Sequence, residues 1–423
     1  MVFNLVALLL AVVIVYWHYV QGFFTSIISA VCAALAALLA LGHAEWITAT
    51  FLGGRGGELA EGAILGALFV LIYGLLRFVI DKAAPDGVRV PVSAEKAGAV
   101  VAGAVVAAFT VGTVAVAAQL LPFGPGIGMG TRYAVEDPEV TVLNSRRQRS
   151  DIPTQYALAD GDAFERPGAL LYVPFDNWLV GLTRYQSGTG ALARTDMARV
   201  NPRPLDVAYG TRLGNPMGGR LTVPVGVVGR DDALTLENAY RLDAPVAQVE
   251  GVTEGVADAF GRNADDTYTP SGTTIVLRVV PTRDAADPDG SLRFAPAGVP
   301  VVADGQLVLP IGTMQGDVLV RQRADDLLVL PLRDGGFSKL DLVYELPAGG
   351  VAGERLADDV LLQFKRFGRV PLDGLRLLAF EADPAAGLAR PDEVLAAIEA
   401  ADAPAADDAE DDADAAADAD AAE

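Results

Sequence analysis

Residues 2–41 read VFNLVALLLAVVIVYWHYVQGFFTSIISAVCAALAALLAL. Two apolar runs, Val2–Val20 and Phe23–Leu41, are interrupted only by Gln21–Gly22. At about 1.5 Å of rise per residue the two runs together span roughly 60 Å, twice the hydrocarbon thickness of a bilayer. They therefore cannot form one crossing. The aromatic residues of Tyr16–Tyr19 suit the headgroup level and the glycine permits a tight turn, so the stretch predicts a helical hairpin in a membrane.

Two further apolar runs lie downstream, at Gly62–Ile80 and at Ala97–Leu121. We predict four transmembrane helices, and three if the first hairpin is re-entrant. A cleaved signal peptide would require a basic segment ahead of the first apolar run. No Lys or Arg precedes Arg55, and the segment after the first run is again hydrophobic, so a signal peptide is excluded. We assign residues 1–122 to a membrane domain.

The composition excludes several classes of function. Of the 423 residues 52% are hydrophobic and 20% charged, the net charge is −22, and the mean hydropathy is +0.34. A surface this acidic cannot replace the counterions of a nucleic acid, so we expect no nucleic-acid partner. The single cysteine, Cys32, excludes an internal disulfide, and the only histidines, His18 and His43, leave none for general-base catalysis in the rest of the chain. We expect no cofactor, no metal and no catalytic residue, hence a protein that is not an enzyme.

The distribution of basic residues indicates an orientation. Four of them lie in or beside the link between the third and fourth spans: Arg77, Lys82, Arg89 and Lys96. The link between the second and third spans holds only Arg55. Because short cytoplasmic loops carry the excess of Lys and Arg, the third link should face the cytoplasm, with the N-terminus and everything after the fourth span outside. Basic residues after the fourth span, at 132 and 146–149, favour the opposite orientation.

Small residues predict where the helices pack. Gly62 and Gly66 form a GxxxG step, and Ala99, Gly103 and Ala107 recur at a spacing of four residues. Such rows let helix backbones approach closely. We favour packing within one chain over a homo-oligomer. The alternative function on this basis is a channel or transporter subunit assembled through these faces.

Single polar residues in the spans have ordinary explanations. His18 is expected to be an aromatic-belt residue at the interface, and Cys32 a small packing residue in an Ala-rich helix. No ionisable residue lies in the middle of a predicted span, which argues against a proton-coupled transporter.

The membrane part, residues 1–122, resembles the colicin V production (CvpA) family of bacterial inner-membrane proteins. The pattern consists of an apolar first helix after Asn4, a Gly22–Phe23 pair that starts the second, Arg77 at the end of the third, and a fourth that opens with Glu95-Lys96-Ala97-Gly98 and continues to Gly103. The resemblance implies an inner-membrane location and a role in toxin production or export, or in envelope maintenance.

The remaining chain is predicted to be mostly β-structure. Residues 123–150 begin with alternating glycines and are interpreted as a linker, and residues 151–380 as a β-rich, sandwich-like domain. Short Val- and Leu-rich runs flank Asp304-Gly305, a strong signal for a two-residue hairpin. Trp178 is expected to be a core anchor rather than a binding platform. We expect the domain to bind an envelope protein or polymer.

Acidic residues in this part are interpreted as solvated. Residues 381–423 should hold a short helix, Pro391–Ala400, and a disordered tail with 10 acidic and no basic residues after 400. Adjacent carboxylates such as Asp325-Asp326 point to opposite faces of a strand and do not converge on a substrate. Asp287-Pro288-Asp289-Gly290 lacks the spacing of an EF-hand.

Overall fold

The structure is a computed structural model, and it describes residues 2–52, 59–83, 92–121, 126–127, 130–134, 158, 163–190, 192–193, 196–213, 234–250, 266–285, 291–326, 328–331, 336–365 and 368–383. The predicted terminal helix, the acidic tail, the calcium-like sequence at 287–290 and most of the linker lie outside the described residues. Within these ranges, a bundle of long helices is followed by short helices and then by a strand-rich domain.

Four helices confirm the four predicted apolar spans: α1 (Val2–Gln21), α2 (Phe23–Ile47), α3 (Leu59–Ala83) and α4 (Val92–Gln119). All four are long and apolar enough to cross a membrane. The helix α2 continues into a π-helical turn, Thr48–Leu52. The helix α2 has 25 residues and the π-helical turn has 5. Together they are about 45 Å long, which exceeds the hydrocarbon thickness of a bilayer.

The bundle runs up and down. Phe3 in α1 packs beside Val111 and Ala115 in α4, whereas His18, near the other end of α1, lies against Gly103. The helices α1 and α4 are therefore antiparallel, and the start of α1 lies at the end of the bundle where α4 finishes. At the opposite end, Lys96 Nζ donates to the carbonyl oxygen of Tyr19 at 3.2 Å.

Three short helices follow the bundle: α5 (Phe175–Ser187), α6 (Met197–Val200) and α7 (Pro204–Leu213). They fall in the region predicted as β-rich. Asp196 caps α6 by accepting a hydrogen bond from the backbone nitrogen of Ala198 at 3.0 Å. Pro204 begins α7, a position where its missing N–H costs no hydrogen bond.

The strands are short. In chain order they are β1 (Gly126–Ile127), β2 (Gly130–Thr131), β3 (Leu234–Arg241), β4 (Val246–Glu250), β5 (Asp266–Tyr268), β6 (Thr274–Pro281), β7 (Ser291–Phe294), β8 (Val301–Ala303), β9 (Gln306–Val308), β10 (Gly312–Gln315), β11 (Val318–Arg321), β12 (Leu328–Pro331), β13 (Leu340–Glu345), β14 (Val351–Ala352), β15 (Arg355–Leu356), β16 (Leu361–Phe364), β17 (Gly368–Pro371) and β18 (Leu378–Ala379).

The largest sheet has eight strands in the order β18-β3-β6-β13-β10-β11-β4-β5, and a four-stranded sheet has the order β17-β16-β8-β9. Pairing is antiparallel except for β18 with β3 and β11 with β4. One face of the large sheet shares a hydrophobic core with the smaller sheets, as Leu277 and Leu342 pack with Val301, Leu328 and Leu362. A strand-rich domain with a curled sheet therefore follows the bundle.

The hairpin predicted at Asp304-Gly305 is confirmed. Ala303 pairs with Gln306 across the two residues, whose φ angles of 51° and 65° are those of a type I′ turn. This turn matches the twist of its strands, which explains why an Asp-Gly pair occupies it.

Candidate functional site: a buried ionic network between the bundle and the β-rich domain

The helix α7 lies between the two parts of the molecule. Each of its residues from Leu205 to Leu213 is buried. Leu205 and Ala208 join the hydrophobic core of the bundle, whereas Tyr209 and Leu213 pack with Ala297 of the β-rich domain. An added Cβ at position 210 would lie 2.3 Å from the carbonyl oxygen of Ala297, so the glycine there permits backbone contact. The β-rich domain is therefore docked onto the bundle through α7.

The helix α5 crosses the bundle beside α4. Leu179 and Val180 enter the bundle core, and the Phe175 carbonyl oxygen lies 3.0 Å from the Cβ position of Gly112. The polar residues of α5 also face inward, because Asp176, Thr183 and Ser187 are buried. These inward polar groups need partners within the protein.

Arg132 supplies the central cation. It lies in the range predicted as a linker, yet its side chain is only 3% exposed. Its Nε donates to Asp206 Oδ1 in α7 at 2.6 Å, one terminal nitrogen to Gln119 Oε1 in α4 at 3.1 Å, and the other to Asn177 Oδ1 in α5 at 2.8 Å. One guanidinium thus holds three helices, which its rigid fork of donors suits.

Asp206 is shared by a second cation and a phenol. Arg203 Nε donates to its Oδ2 at 2.6 Å, and Tyr133 donates to its Oδ1 at 2.7 Å. Burial and the adjacent Asp206 carboxylate raise the pKa of Tyr133 well above its ordinary value, so the phenol keeps its proton and remains a donor.

Asp176 completes the network. Its Oδ2 accepts from Gln119 Nε2 at 2.8 Å and lies 3.5 Å from the Arg132 guanidinium, while its Oδ1 has no hydrogen-bond partner. With both arginines and both aspartates ionised, the two positive and two negative charges cancel. We define Gln119, Arg132, Tyr133, Asp176, Asn177, Arg203 and Asp206 as the junction network. Removing one of the four charged members leaves an uncompensated buried charge, so the network fixes the relative position of its helices.

A second contact between the bundle and the rest of the chain lies at the C-terminal end of α2. Glu45, near the C-terminal end of α2, accepts a hydrogen bond from Arg369 of β17 and forms an ion pair with it. Gly42, one turn earlier, lies against the backbone of Leu192 and Ala193. The bundle therefore also contacts the segment between α5 and α6 and the strand β17.

The small residues singled out in the sequence lie mostly between helices of this chain. Ala99, Gly103 and Ala107 of α4 are buried, with the Cβ position of Gly103 2.9 Å from His18 Cβ. The Cβ position of Gly62 is 2.6 Å from the Ala117 carbonyl oxygen, whereas Gly66 has open space at its Cβ position. The two glycines of the GxxxG step thus lie in different surroundings.

The residues of the family-like pattern pack where α2 begins. Gly22 precedes α2 with a φ of 94° and lies against Glu95, and Gly98 lies against the ring of Phe23. Arg77 donates to Ser29 Oγ at 3.1 Å and pairs with Asp81 at 3.0 Å. These contacts join the first turn to α3 and α4.

Three single residues were predicted from the sequence. Cys32 is fully buried, which confirms it as a packing residue. His18 is 5% exposed and covered by α4 rather than placed among lipid headgroups. The expectation for Trp178 is wrong, since it is 48% exposed and contacts Phe109 edge-on at 5.1 Å between ring centroids. The reason is that α5 turns Asp176 inward and the opposite side of the helix outward.

The junction network was missed by sequence reasoning. Arg132 and Asp206 are 74 residues apart, and neither belongs to a recognisable motif. The available signal was an acidic residue in the otherwise apolar run Leu205-Asp206-Val207-Ala208, since such a charge is paired when buried.

The junction network is a structural connection between α4, α5 and α7. Its buried donors and acceptors are hydrogen-bonded, apart from Asp176 Oδ1. No protein-family model, curated protein or solved structure matches the chain.

Proposed function

We propose that this chain is a bacterial inner-membrane protein whose helical bundle holds a non-catalytic, extracytoplasmic β-rich domain in a fixed position, where the domain binds an envelope protein or polymer. The observation that carries the proposal is the docking of the β-rich domain through α7 and the junction network. A domain on a free tether would need neither a fully buried connecting helix nor paired buried charges.

The orientation is supported by the two ends of the bundle. Arg77, Lys82 and Lys96 lie at the end away from the β-rich domain, as the contact of Lys96 with Tyr19 indicates. The positive-inside rule assigns that end to the cytoplasm. Arg132 counts against this orientation by sequence, but in the folded chain Asp176 and Asp206 neutralise its charge.

A binding rather than catalytic role is supported by the hydrogen bonds that the acidic residues Asp325 and Asp326 accept from the backbone. Asp325 accepts from the backbone nitrogen of Leu158 at 2.6 Å, and Asp326 from that of Arg323 at 2.7 Å. These carboxylates hold loops together, in line with a structural rather than catalytic use. The sandwich-like arrangement proposed for the domain is supported by the core that its large and small sheets share.

The resemblance to the colicin V production family supports a role in toxin production or export, or in envelope maintenance. It rests on Gly22, Phe23, Arg77, Gly98 and Gly103, which pack in and around the first turn.

Cysteine accessibility tests the proposal. In full-length protein with Cys32 replaced by Ala, single cysteines are placed at Ala83, at the end of α3, and at Glu354, which is 72% exposed in the β-rich domain. A membrane-impermeant maleimide should label Glu354→Cys in intact cells and Ala83→Cys only after permeabilisation. The reverse pattern would place the β-rich domain in the cytoplasm and overturn the proposal. A hydrolytic activity abolished by one Asp or Glu substitution would overturn its non-catalytic part.

The second candidate is a channel or transporter subunit. The observation in its favour is that α3 has open space at Gly66 and Gly74, where a second copy could approach. Ala99, Gly103 and Ala107 are buried by the chain's own helices, so assembly would use α3 instead. Ion flux through purified protein in liposomes, lost on Gly66→Leu, would favour this candidate.

A further inference from the structure

Aromatic and apolar side chains cover the outer side of the segment around α5. Tyr172 is 76% exposed, Val173 56%, Trp178 48% and Tyr185 73%. We call these four residues the aromatic face. They lie outside the four apolar spans, in a part of the chain where exposed large rings are unusual on a surface that meets water.

The helix α5 carries polar and apolar residues on both sides. Its buried side holds Leu179 and Val180 together with Asp176, Thr183 and Ser187, and its exposed side holds Trp178 and Tyr185 together with Arg184. A helix on a water-exposed surface turns its charged side outward and its rings inward. Two exposed rings beside a cation indicate that the outer side of α5 meets the boundary between water and an apolar medium.

The position of α5 along the bundle identifies this medium. Trp178 contacts Phe109, and Phe175 and Leu179 lie against Gly112. These two positions precede the end of α4 at Gln119 by 10 and 7 residues, so α5 lies about 10–15 Å inward from that end. The helix is therefore level with the apolar part of α4.

Contacts at the start of α1 independently indicate the same position of this segment along the bundle. Asn4 Oδ1 accepts from the Tyr172 backbone nitrogen at 2.8 Å, and Asn4 Nδ2 donates to the Leu170 carbonyl oxygen at 2.9 Å. Leu5 and Leu8, one and four residues further along α1, are 58% and 62% exposed on the lipid-facing side of the bundle. Tyr172 thus lies where α1 enters the bilayer.

A groove connects the aromatic face with the lipid-facing surface of α1. It has a volume of about 480 Å³, and its lining includes Leu5, Leu8, Val111, Tyr172 and Val173. Both polar atoms of the Asn4 side chain are used in the backbone hydrogen bonds described above, so the groove offers apolar walls. It suits an acyl chain from the same leaflet.

We propose that α5 is an interfacial helix whose aromatic face binds lipid in the leaflet on the side of the β-rich domain. Trp and Tyr prefer the headgroup boundary, where their rings are apolar and their N–H and O–H groups reach water. The chain then contacts the bilayer through four crossing helices and one helix in the membrane plane. The lipid contact holds the junction network against the membrane surface.

Tryptophan quenching tests the proposal, because the chain has 3 tryptophans. Full-length protein with Trp17→Phe and Trp46→Phe, leaving Trp178, is reconstituted in phosphatidylcholine vesicles with or without bromine on the acyl chains. Brominated lipid should reduce the Trp178 emission about as much as it reduces that of a Trp17-only variant, since Trp17 is 62% exposed on α1. Acrylamide in the water should quench Trp178 weakly.

A variant with the only tryptophan at Leu378, which is 43% exposed on β18, is the matched control and should respond to acrylamide but not to brominated lipid. Tyr185→Trp in a chain without other tryptophans provides a second reporter on the aromatic face, so that the result does not depend on Trp178 alone. Quenching of both reporters by acrylamide alone would show that α5 faces water and would overturn the proposal. Protection of both from acrylamide and from brominated lipid would mean that another copy of this chain covers the aromatic face, and would overturn the proposal equally.

Discussion

Arg132 Nε lies 2.6 Å from Asp206 Oδ1, with 3% of the arginine side chain and 1% of the aspartate side chain exposed. The pair joins the segment after the last span to the helix between bundle and β-rich domain. Water cannot compensate either charge at this burial, so each depends on the other and on the neighbouring Asp176 and Arg203.

We expect Arg132→Ala to destabilise the protein by about 3–5 kcal/mol, because it leaves two buried carboxylates with one arginine. Thermal unfolding in detergent, followed by circular dichroism, measures the loss. The matched control is Arg376→Ala, whose partner Glu354 is 3.8 Å away and whose side chain is 70% exposed. An exposed pair contributes little, so the control should unfold like the wild type. Equal midpoints for both variants would contradict the assigned importance of the network.

The close contact at Gly210 gives a second expectation. An added methyl group would lie 2.3 Å from the Ala297 carbonyl oxygen, so Gly210→Ala must separate α7 from the β-rich domain and should cost about 1–3 kcal/mol. Gly181→Ala is the control in another helix, as nothing lies within 4 Å of its Cβ position. That substitution should stabilise α5 by about 0.5–1 kcal/mol. Denaturant titration in the same detergent compares the two, and a neutral Gly210→Ala would show that α7 is loosely packed.

The sequence was sufficient to predict the elements that depend on local pattern. The apolar runs identified all four long helices because a membrane span requires about 20 apolar residues and tolerates few charges. The Asp304-Gly305 turn was predictable because its positive φ angles select those residues.

The connecting helices were not predictable in the same way. The helix α7 reads PLDVAYGTRL and is buried on all sides, so it shows no separate polar and apolar sides for a periodicity argument to detect. Its Asp206 is buried because Arg132, far away in the chain, neutralises it. The expectation that Trp178 is a core anchor was wrong for a related reason. It assumed that the surface of this part of the chain meets water, where a large ring would be buried.

Packing inside the bundle gives a third expectation. The Cβ position of Gly103 lies 2.9 Å from His18 Cβ and 3.3 Å from Val15 Cα, whereas Gly66 has no atom within 4 Å of its Cβ position. Gly103→Leu should therefore separate α1 from α4 and cost about 1–3 kcal/mol. Gly66→Leu should leave the stability of the monomer unchanged. Loss of helicity during titration with dodecyl sulfate measures both variants. If Gly66→Leu instead dissociates an oligomer, the channel candidate gains support.

The last expectation concerns alkaline pH. Tyr268 at the end of β5 donates to Glu345 at the end of β13. Burial, followed by this hydrogen bond, raises the pKa of Tyr268 from 10.0 to about 12, against the opposing charge of Arg321. Below pH 10 the phenol is protonated in the folded and unfolded chains, and its contribution to stability is fully present.

As the pH rises from about 10 to about 12, the unfolded chain loses this proton first, so the stability of the folded state must fall through that window. Tyr268→Phe lacks the titrating group and should lose less stability over the same window, although it should be about 1 kcal/mol less stable at neutral pH because the hydrogen bond is missing. Urea midpoints measured from about pH 8 to about pH 12 test the difference, because tyrosines common to both proteins cancel in the comparison. Parallel curves for the two proteins would mean that the Tyr268 phenol is not held in its protonated form by burial and Glu345.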